Sequence, residues 1–205
     1  GKFVEGLDGR MHLNSGASTI NSVIGPQNQF KTALIMYLIM MVLERYRDSM
    51  ALVYDTEGSF TYSRLEGMVK NYDFLSTLDF SIPEAVECVK LIQADAIHGD
   101  HWFEIIKKGL RERGAGKADK MKTTPFVTNG KSMKIYSPIQ VVIDSLSEWK
   151  SSSVEGKLVD KNAVGESGAN TQFLKEAAAK AQMIRQFPNL GLSGGATFNM
   201  VAHTG

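Results

Sequence analysis

Short apolar runs alternate with segments of helical periodicity along the chain. The runs typical of buried strands lie at residues 20–24, 51–55, 139–144 and 196–202. Helical periodicity is found at residues 31–47, 61–70, 83–97, 101–112 and 171–187, with Pro188 ending the last of these. The helix at 31–47 is apolar on nearly every face, which predicts packing on all sides. The alternation predicts an α/β domain with a mostly parallel sheet and helices on both faces.

Three segments interrupt this alternation. Residues 124–136 carry Asn129-Gly130 in their middle, the strongest short signal for a β-hairpin. Residues 107–122 hold seven basic and two acidic side chains, which favours a solvated, mobile surface segment and leaves a phosphate-contacting patch as the alternative. Residues 147–170 are rich in Ser, Gly, Lys and Asn and predict a long mobile loop.

The composition changes this picture little. The 205 residues predict a single domain over 1–205, with a weakly patterned lead-in at 1–19. Lys plus Arg number 23 and Asp plus Glu number 22, so the net charge is close to zero. This balance excludes a protein that coats nucleic acid by bulk charge, but it does not exclude a local DNA-binding loop.

The sequence also predicts a cytoplasmic protein. Cys88 is the one cysteine, which favours a reducing compartment because a single thiol cannot form an internal disulfide. The longest apolar run, residues 33–43, is too short to cross a bilayer, which takes about 20 residues. The first ten residues lack the apolar stretch of a signal peptide.

Residues 25–32, GPQNQFKT, are the first candidate site. They follow a predicted strand and open a predicted helix, as a nucleotide phosphate loop does. A helix N-terminus offers unpaired N–H groups and a positive dipole end, Lys31 adds a mobile charge, and Thr32 adds a hydroxyl for Mg²⁺. The usual pattern is G-x-x-x-x-G-K-[ST], with Phe30 here in place of the second glycine, so the alternative is a chance Phe-Lys-Thr at a helix start.

Two carboxylates extend this candidate site. Asp144 ends the apolar strand VVID, where an aspartate can hold Mg²⁺ beside a phosphate loop. Glu57 follows the strand ALVYD, where a carboxylate can orient and activate an attacking water. Ligands of open α/β sheets bind at the carboxyl ends of the strands, so we expect Lys31, Glu57 and Asp144 to meet around one triphosphate. For each carboxylate, an ordinary strand-end turn remains the alternative.

The ordered set of motifs resembles the RecA family of recombinases, and within it the phage UvsX-like branch. GPQNQFKT resembles that branch's phosphate loop, VYDTEGSF the segment with the catalytic glutamate, and VVIDSL the Walker B strand. MVAHT resembles the last core strand, which carries a γ-phosphate sensor. The match runs in order over residues 20–205 and implies a RecA-like P-loop NTPase core.

The resemblance assigns roles to individual residues. Glu57, Lys31 and His203 would be catalytic, with Glu57 activating water and His203 sensing the γ-phosphate, while Thr32 and Asp144 would hold Mg²⁺. ATP would be bound by the phosphate loop, by an aromatic stacked on adenine and by a serine beside the metal: Gly25, Pro26, Gln27, Asn28, Gln29, Phe30, Lys31, Thr32, Tyr62 and Ser145. The loop near 150–169 would contact DNA through Lys150, Lys157 and Lys161.

The implied function is ATP-dependent DNA strand exchange in homologous recombination and DNA repair. Subunits would form a helical filament on single-stranded DNA, hydrolyse ATP at their interfaces, and work with single-strand-binding and mediator proteins in the host cytoplasm, without a membrane. The alternatives are another RecA-fold DNA motor, such as a hexameric helicase, and a weakly hydrolysing nucleotide-binding mediator module.

The sequence departs from the family pattern in several places. The stretch between Glu57 and Asp144 is longer, and residues 107–136 account for the excess as an insertion. Tyr62 lies two positions closer to the glutamate than the family spacing, and Ala202 stands where Asn is common. The family's oligomerising N-terminal segment and second DNA loop have no counterpart here, so we expect residues 1–205 to represent the family's core.

Overall fold

The computed structural model describes residues 2–5, 11–14, 19–116, 121–128, 130–152 and 166–204. The strands are β1 Lys2–Glu5, β2 Met11–Asn14, β3 Ile20–Gly25, β4 Met50–Asp55, β5 Val89–Gln93, β6 Met121–Thr128, β7 Lys131–Tyr136, β8 Ile139–Asp144 and β9 Ala196–His203. The α-helices are α1 Lys31–Arg45, α2 Tyr62–Val69, α3 Gly99–Ala115, α4 Glu166–Ile184 and α5 Phe187–Gly194. Two 3₁₀ turns lie at Leu75–Thr77 and Pro83–Ala85.

Five parallel strands form the central sheet, in the order β3-β9-β8-β4-β5. Two antiparallel pairs, β1-β2 and β6-β7, form separate two-stranded sheets. The molecule is therefore an α/β protein with a mostly parallel sheet, as the alternation of patterns predicts. The β6-β7 pair confirms the hairpin prediction, and Gly130 in its turn has a positive φ of 73° that glycine adopts without steric cost.

The sheet has a hydrophobic core on each face. Residues that alternate along β4, β8 and β9 send one set of side chains towards α1 and α2 and the other set towards α3 and α5. On the second face Phe187 stacks on Phe198 with ring centroids 4.1 Å apart, and Tyr54 lies against Trp102 at 4.9 Å. Helices on both faces thus bury the strands from both sides, which is why the strand sequences are nearly continuous apolar runs.

A chain of amides crosses the first face within the core. Asn21 donates to Asn199 at 2.9 Å, and Asn199 donates to Gln140 at 2.7 Å. These residues lie on β3, β9 and β8, and the last two are buried. Each buried amide therefore has a partner, which a polar group in a core requires.

Residues 83–97 are not a helix, contrary to the prediction. Pro83 begins a single 3₁₀ turn, and Val89–Gln93 is the edge strand β5, paired in parallel with β4. Val86, Val89 and Ile92 are spaced like one face of a helix, which produced the error. Pairing with β4 supplies backbone hydrogen bonds and burial that override this weak periodicity.

Two helices differ from their predicted form. Pro188 does not end a helix at residue 187; α4 ends at Ile184, and Pro188 lies in the first turn of α5. Proline is tolerated there because the first N–H groups of a helix have no intrahelical partner. On α1, Leu34, Tyr37 and Met41 are 47–50% exposed, so this helix is not enclosed on all sides.

The described residues of the basic segment 107–122 belong mainly to regular elements, contrary to the prediction of a mobile segment. Residues up to Ala115 continue α3, and Lys122 lies in β6 with its Nζ 2.6 Å from Asp48. Arg113 donates to the carbonyl of Ser137 and stacks over the ring of Tyr136. No helix among the described residues is long and apolar enough to span a bilayer.

Candidate functional site

The carboxyl ends of four parallel strands meet at one edge of the sheet. Asp55 at the end of β4 is in register with Asp144 at the end of β8, and Gly25 at the end of β3 is in register with His203 on β9. Because parallel strands end on the same side, the polar residues that follow them converge there. We call this edge the carboxyl edge.

The loop between β3 and α1 has an unusual backbone. Asn28 and Phe30 have φ angles of 61° and 55°, in the left-handed region, which a bulky side chain rarely adopts. Phe30 occupies the N-cap position of α1, and its side chain is 85% exposed. Lys31 is buried, and its ammonium donates a hydrogen bond back to the carbonyl of Pro26. The loop therefore curls around the Lys31 ammonium.

Thr32 connects this loop to the carboxylate of β8. Its hydroxyl donates to Asp144 Oδ2 at 2.7 Å, and the hydroxyl of Ser59 lies 3.4 Å from the same oxygen. The other oxygen, Asp144 Oδ1, is buried and has no hydrogen-bond partner among the described residues. A buried carboxylate oxygen without a partner is unfavourable unless another group comes to it.

The charge environment of Asp144 fits a cation. Burial raises the pKa of Asp144, and the nearby carboxylates of Asp55 and Glu57 raise it further, while hydrogen bonds from Thr32 and Ser59 oppose this. Carboxylate and hydroxyl oxygens are the ligands that Mg²⁺ prefers. Thr32 and Asp144 thus offer a suitable pair of oxygen donors, and a bound Mg²⁺ would relieve the repulsion between the carboxylates.

Asp55 is a site residue that the sequence reasoning missed. It is fully buried, and its carboxylate accepts from the backbone N–H groups of Glu57, Ser59 and Phe60 at 3.1, 3.3 and 2.9 Å. Its Oδ2 also accepts from Gln93 at 3.1 Å. Asp55 therefore fixes the turn that carries Glu57. The available signal was an aspartate ending an apolar strand, the same one that singled out Asp144.

The side chains of Glu57 and His203 meet across the carboxyl edge. Glu57 Oε1 is in hydrogen-bond contact with His203 Nε2, and the backbone N–H of His203 donates to Ser147 Oγ at 2.9 Å. Partial burial raises the pKa of Glu57, but hydrogen bonds from Ser145 and His203, together with the charges of His203 and Lys31, outweigh it and lower the pKa. Glu57 is therefore held as a carboxylate near neutral pH.

Ser145 joins the ends of β4 and β8. The peptide bond between Asp144 and Ser145 is cis, and Ser145 N–H donates to Thr56 Oγ1 at 2.7 Å. Thr56 N–H donates to the carbonyl of Asp144 at 2.6 Å. These bonds hold the turn before Glu57 against the residue that follows Asp144.

Tyr62 is not brought together with the phosphate-loop residues. Its ring packs against the first hydrophobic core, and its hydroxyl donates to the carbonyl of Val89 at 3.0 Å. Val89 begins β5, whereas the loop follows β3, and these strands are the two opposite edges of the sheet. The adenine-stacking role of Tyr62 stays a prediction.

Of the three lysines predicted to contact DNA, one is described. Lys150 is partly buried, and its carbonyl accepts from the N–H of Gly99 at 3.0 Å. Lys157 and Lys161 lie outside the described residues. Trp149 is 1% exposed and packs directly against Gly99, so it anchors the start of this segment.

No protein-family model matches the chain, and a search of curated proteins finds no significantly similar sequence. The site must therefore be interpreted from its own geometry.

Proposed function

We propose that the carboxyl edge binds and hydrolyses ATP with Mg²⁺. The observation that carries this proposal is the convergence of Lys31 and Thr32, Asp144, and the Glu57–His203 pair at the ends of neighbouring strands. These residues supply a cation for phosphate, oxygen ligands for a metal, and a carboxylate for water. Few alternative chemistries use all three groups at one helix N-terminus.

Each group has a distinct part in this reaction. The N–H groups at the start of α1 cradle the phosphates, and the Lys31 ammonium leaves Pro26 to neutralise the β- and γ-phosphate oxygens. Thr32 and Asp144 would hold Mg²⁺, which supplies charge stabilisation for the transferred phosphoryl group. The Glu57 carboxylate accepts a hydrogen bond from the attacking water and orients it.

The Glu57–His203 contact would keep the nucleotide-free site inactive. While His203 engages Glu57, that carboxylate oxygen is not available to a water. A γ-phosphate oxygen, being an anion, competes with Glu57 for the imidazole, and its arrival would free the carboxylate. His203 would in this way respond to the presence of the γ-phosphate.

We further propose that the chain is the core of a RecA-family DNA strand-exchange recombinase with a RecA-like P-loop fold. The ordered motifs support this assignment, as does a parallel sheet in which β9, with His203, lies between the strands that end at Gly25 and Asp144. ATP would lie between subunits of a helical filament on single-stranded DNA, and Lys150, Lys157 and Lys161 would face the DNA.

The proposal is tested by ATPase activity with and without single-stranded DNA, and by negative-stain imaging with a non-hydrolysable ATP analogue and the same DNA. We expect DNA-stimulated hydrolysis and open helical filaments. Closed rings with stimulated hydrolysis would replace the recombinase with a hexameric motor. Weak hydrolysis without DNA stimulation would instead indicate a mediator module, and absence of ATP binding would overturn the nucleotide assignment.

A further inference from the structure

A small cleft lies on the face of the molecule covered by α3 and α5. It has a volume of about 160 Å³ and is lined by Arg111, Arg185, Gln186, Asn189, Leu190 and Ser193. Arg111 comes from α3, Arg185 and Gln186 from the turn between α4 and α5, and the others from α5. The lining therefore contains two guanidinium groups and no carboxylate.

Neither guanidinium is neutralised within the part of the chain that the structure describes. Other charges on α3 are paired: Lys107 contacts Glu104, and Lys108 Nζ lies 3.9 Å from Glu112. Arg113 is used to bind the carbonyl of Ser137. Arg111 and Arg185, by contrast, make no side-chain hydrogen bond or ion pair with any residue in the described ranges.

The two helices beside the cleft pack closely on each other. Gly114 of α3 packs so closely on α5 that a Cβ there would lie 2.6 Å from the carbonyl oxygen of Ser193. Gly194 packs on Leu110 in turn, with its Cβ position 2.9 Å from the Leu110 carbonyl oxygen. These contacts join α3, which carries Arg111, to α5, which begins two residues after Arg185.

We propose that this cleft is a second anion site, which takes a phosphate group. Guanidinium groups bind oxyanions through paired N–H donors, and two of them match a doubly charged tetrahedral anion better than a planar carboxylate. The side-chain amide of Asn189 can donate to a remaining oxygen, as can the second N–H of the Gln186 amide, whose nitrogen also donates to the Gln182 carbonyl at 3.3 Å. A free phosphate and a phosphodiester share the chemistry that a guanidinium recognises, namely unesterified phosphate oxygens that carry negative charge, although the diester has only two such oxygens and a single charge.

The site is separate from the carboxyl edge. Residues of α5 lead directly into Ala196, the first residue of β9, whereas the ATP site lies at the other end of that strand, beside His203. Binding here therefore does not depend on the proposed ATPase activity.

The test is titration of the full chain, followed by amide NMR, with inorganic phosphate and separately with a thymidine oligonucleotide at constant ionic strength. We expect saturable shifts in residues 185–193. Arg111→Gln with Arg185→Gln should weaken binding about 100-fold or more, because the double variant loses two charge-assisted interactions and each contributes about a factor of ten or more. The matched control is Arg45→Gln with Lys70→Gln, which removes the same charge from exposed positions elsewhere.

The two probes distinguish the source of the phosphate. If the arginine variant weakens binding of inorganic phosphate only, the ligand is a free phosphate group; if it weakens oligonucleotide binding as well, the ligand includes a phosphodiester. Equal affinities in the arginine variant and the control, or no saturable shifts with either probe, would overturn the proposal. Both variants change exposed side chains, and matching thermal unfolding curves would verify that they are folded.

Discussion

The hydroxyl of Thr32 donates a 2.7 Å hydrogen bond to Asp144, a residue 112 positions later in the chain. This bond connects the first turn of α1 to the end of β8, two strands away from β3 in the sheet. It brings the proposed phosphate loop against the proposed metal ligand.

Lys31→Ala should abolish ATP turnover, with a loss of about 100-fold or more, because the variant lacks the cation that stabilises charge on the transferred phosphate. Steady-state ATPase assays would measure the loss. Lys70→Ala, at the exposed end of α2, is the matched control and should turn over ATP normally. Wild-type turnover by Lys31→Ala would remove this lysine from the site.

Glu57→Gln should retain ATP binding and slow hydrolysis by about 100-fold or more, the usual contribution of a general base. Glutamine preserves the shape of the side chain and can still meet His203, so the loss isolates the carboxylate. Equilibrium binding of a fluorescent ATP analogue and single-turnover hydrolysis would separate the two effects. An unchanged single-turnover rate would exclude Glu57 from the mechanism.

Asp144→Asn should stabilise the nucleotide-free protein near neutral pH by about 1 kcal/mol, a common gain when an unfavourable buried charge is removed. Burial, with help from the Asp55 and Glu57 carboxylates, raises the pKa of Asp144 above 3.8. The stability that Asp144 contributes is therefore complete below pH 3.8 and is lost as the pH rises through the raised folded-state pKa.

Urea unfolding at neutral and acid pH would check this sign, since the advantage of Asp144→Asn should disappear in acid, where the wild-type carboxyl is protonated. The same variant should lose the stabilisation that Mg²⁺ and ATP give the wild type. Asp95→Asn, at an exposed position, is the control: it should change neither the stability at neutral pH nor the stabilisation by Mg²⁺ and ATP. A less stable Asp144→Asn at neutral pH would contradict the assigned cost of the buried charge.

Gly99→Ala should destabilise the protein by about 2 kcal/mol, because overpacking a core forces side chains and backbone to move. The new Cβ would lie 2.2 Å from Nε1 of the buried Trp149. Gly109→Ala is the control on the same helix: nothing lies within 4 Å of its Cβ position, and alanine is the better helix former there by about 1 kcal/mol. In chemical unfolding, the free energy of unfolding should therefore fall for Gly99→Ala and rise for Gly109→Ala. An unchanged free energy of unfolding for Gly99→Ala would show that Trp149 is not a fixed anchor.

The sequence by itself determined the elements whose signals are local. The apolar runs before Asp144 and His203 predict strands, GPQNQFKT opens a helix that begins at its Lys31, and Asn129-Gly130 marks a hairpin. These elements could be predicted because the length of an apolar run, a helix cap and a turn residue each depend on only a few neighbouring residues. The alternation of such elements also determined the α/β class, since both faces of a parallel sheet must be covered.

Only the tertiary structure decided which of these residues meet. Residues 83–97 have helical spacing but supply β5, because pairing with β4 outweighs a local preference. The positions of Asp55 and Tyr62 also depend on where the strands lie. Asp55 is buried beneath the turn that carries Glu57. The hydroxyl of Tyr62 bonds to β5, which is the opposite edge strand of the sheet from β3, the strand before the phosphate loop. Strand order depends on long-range pairing that no local pattern encodes, and it is this order that sets His203 against Glu57.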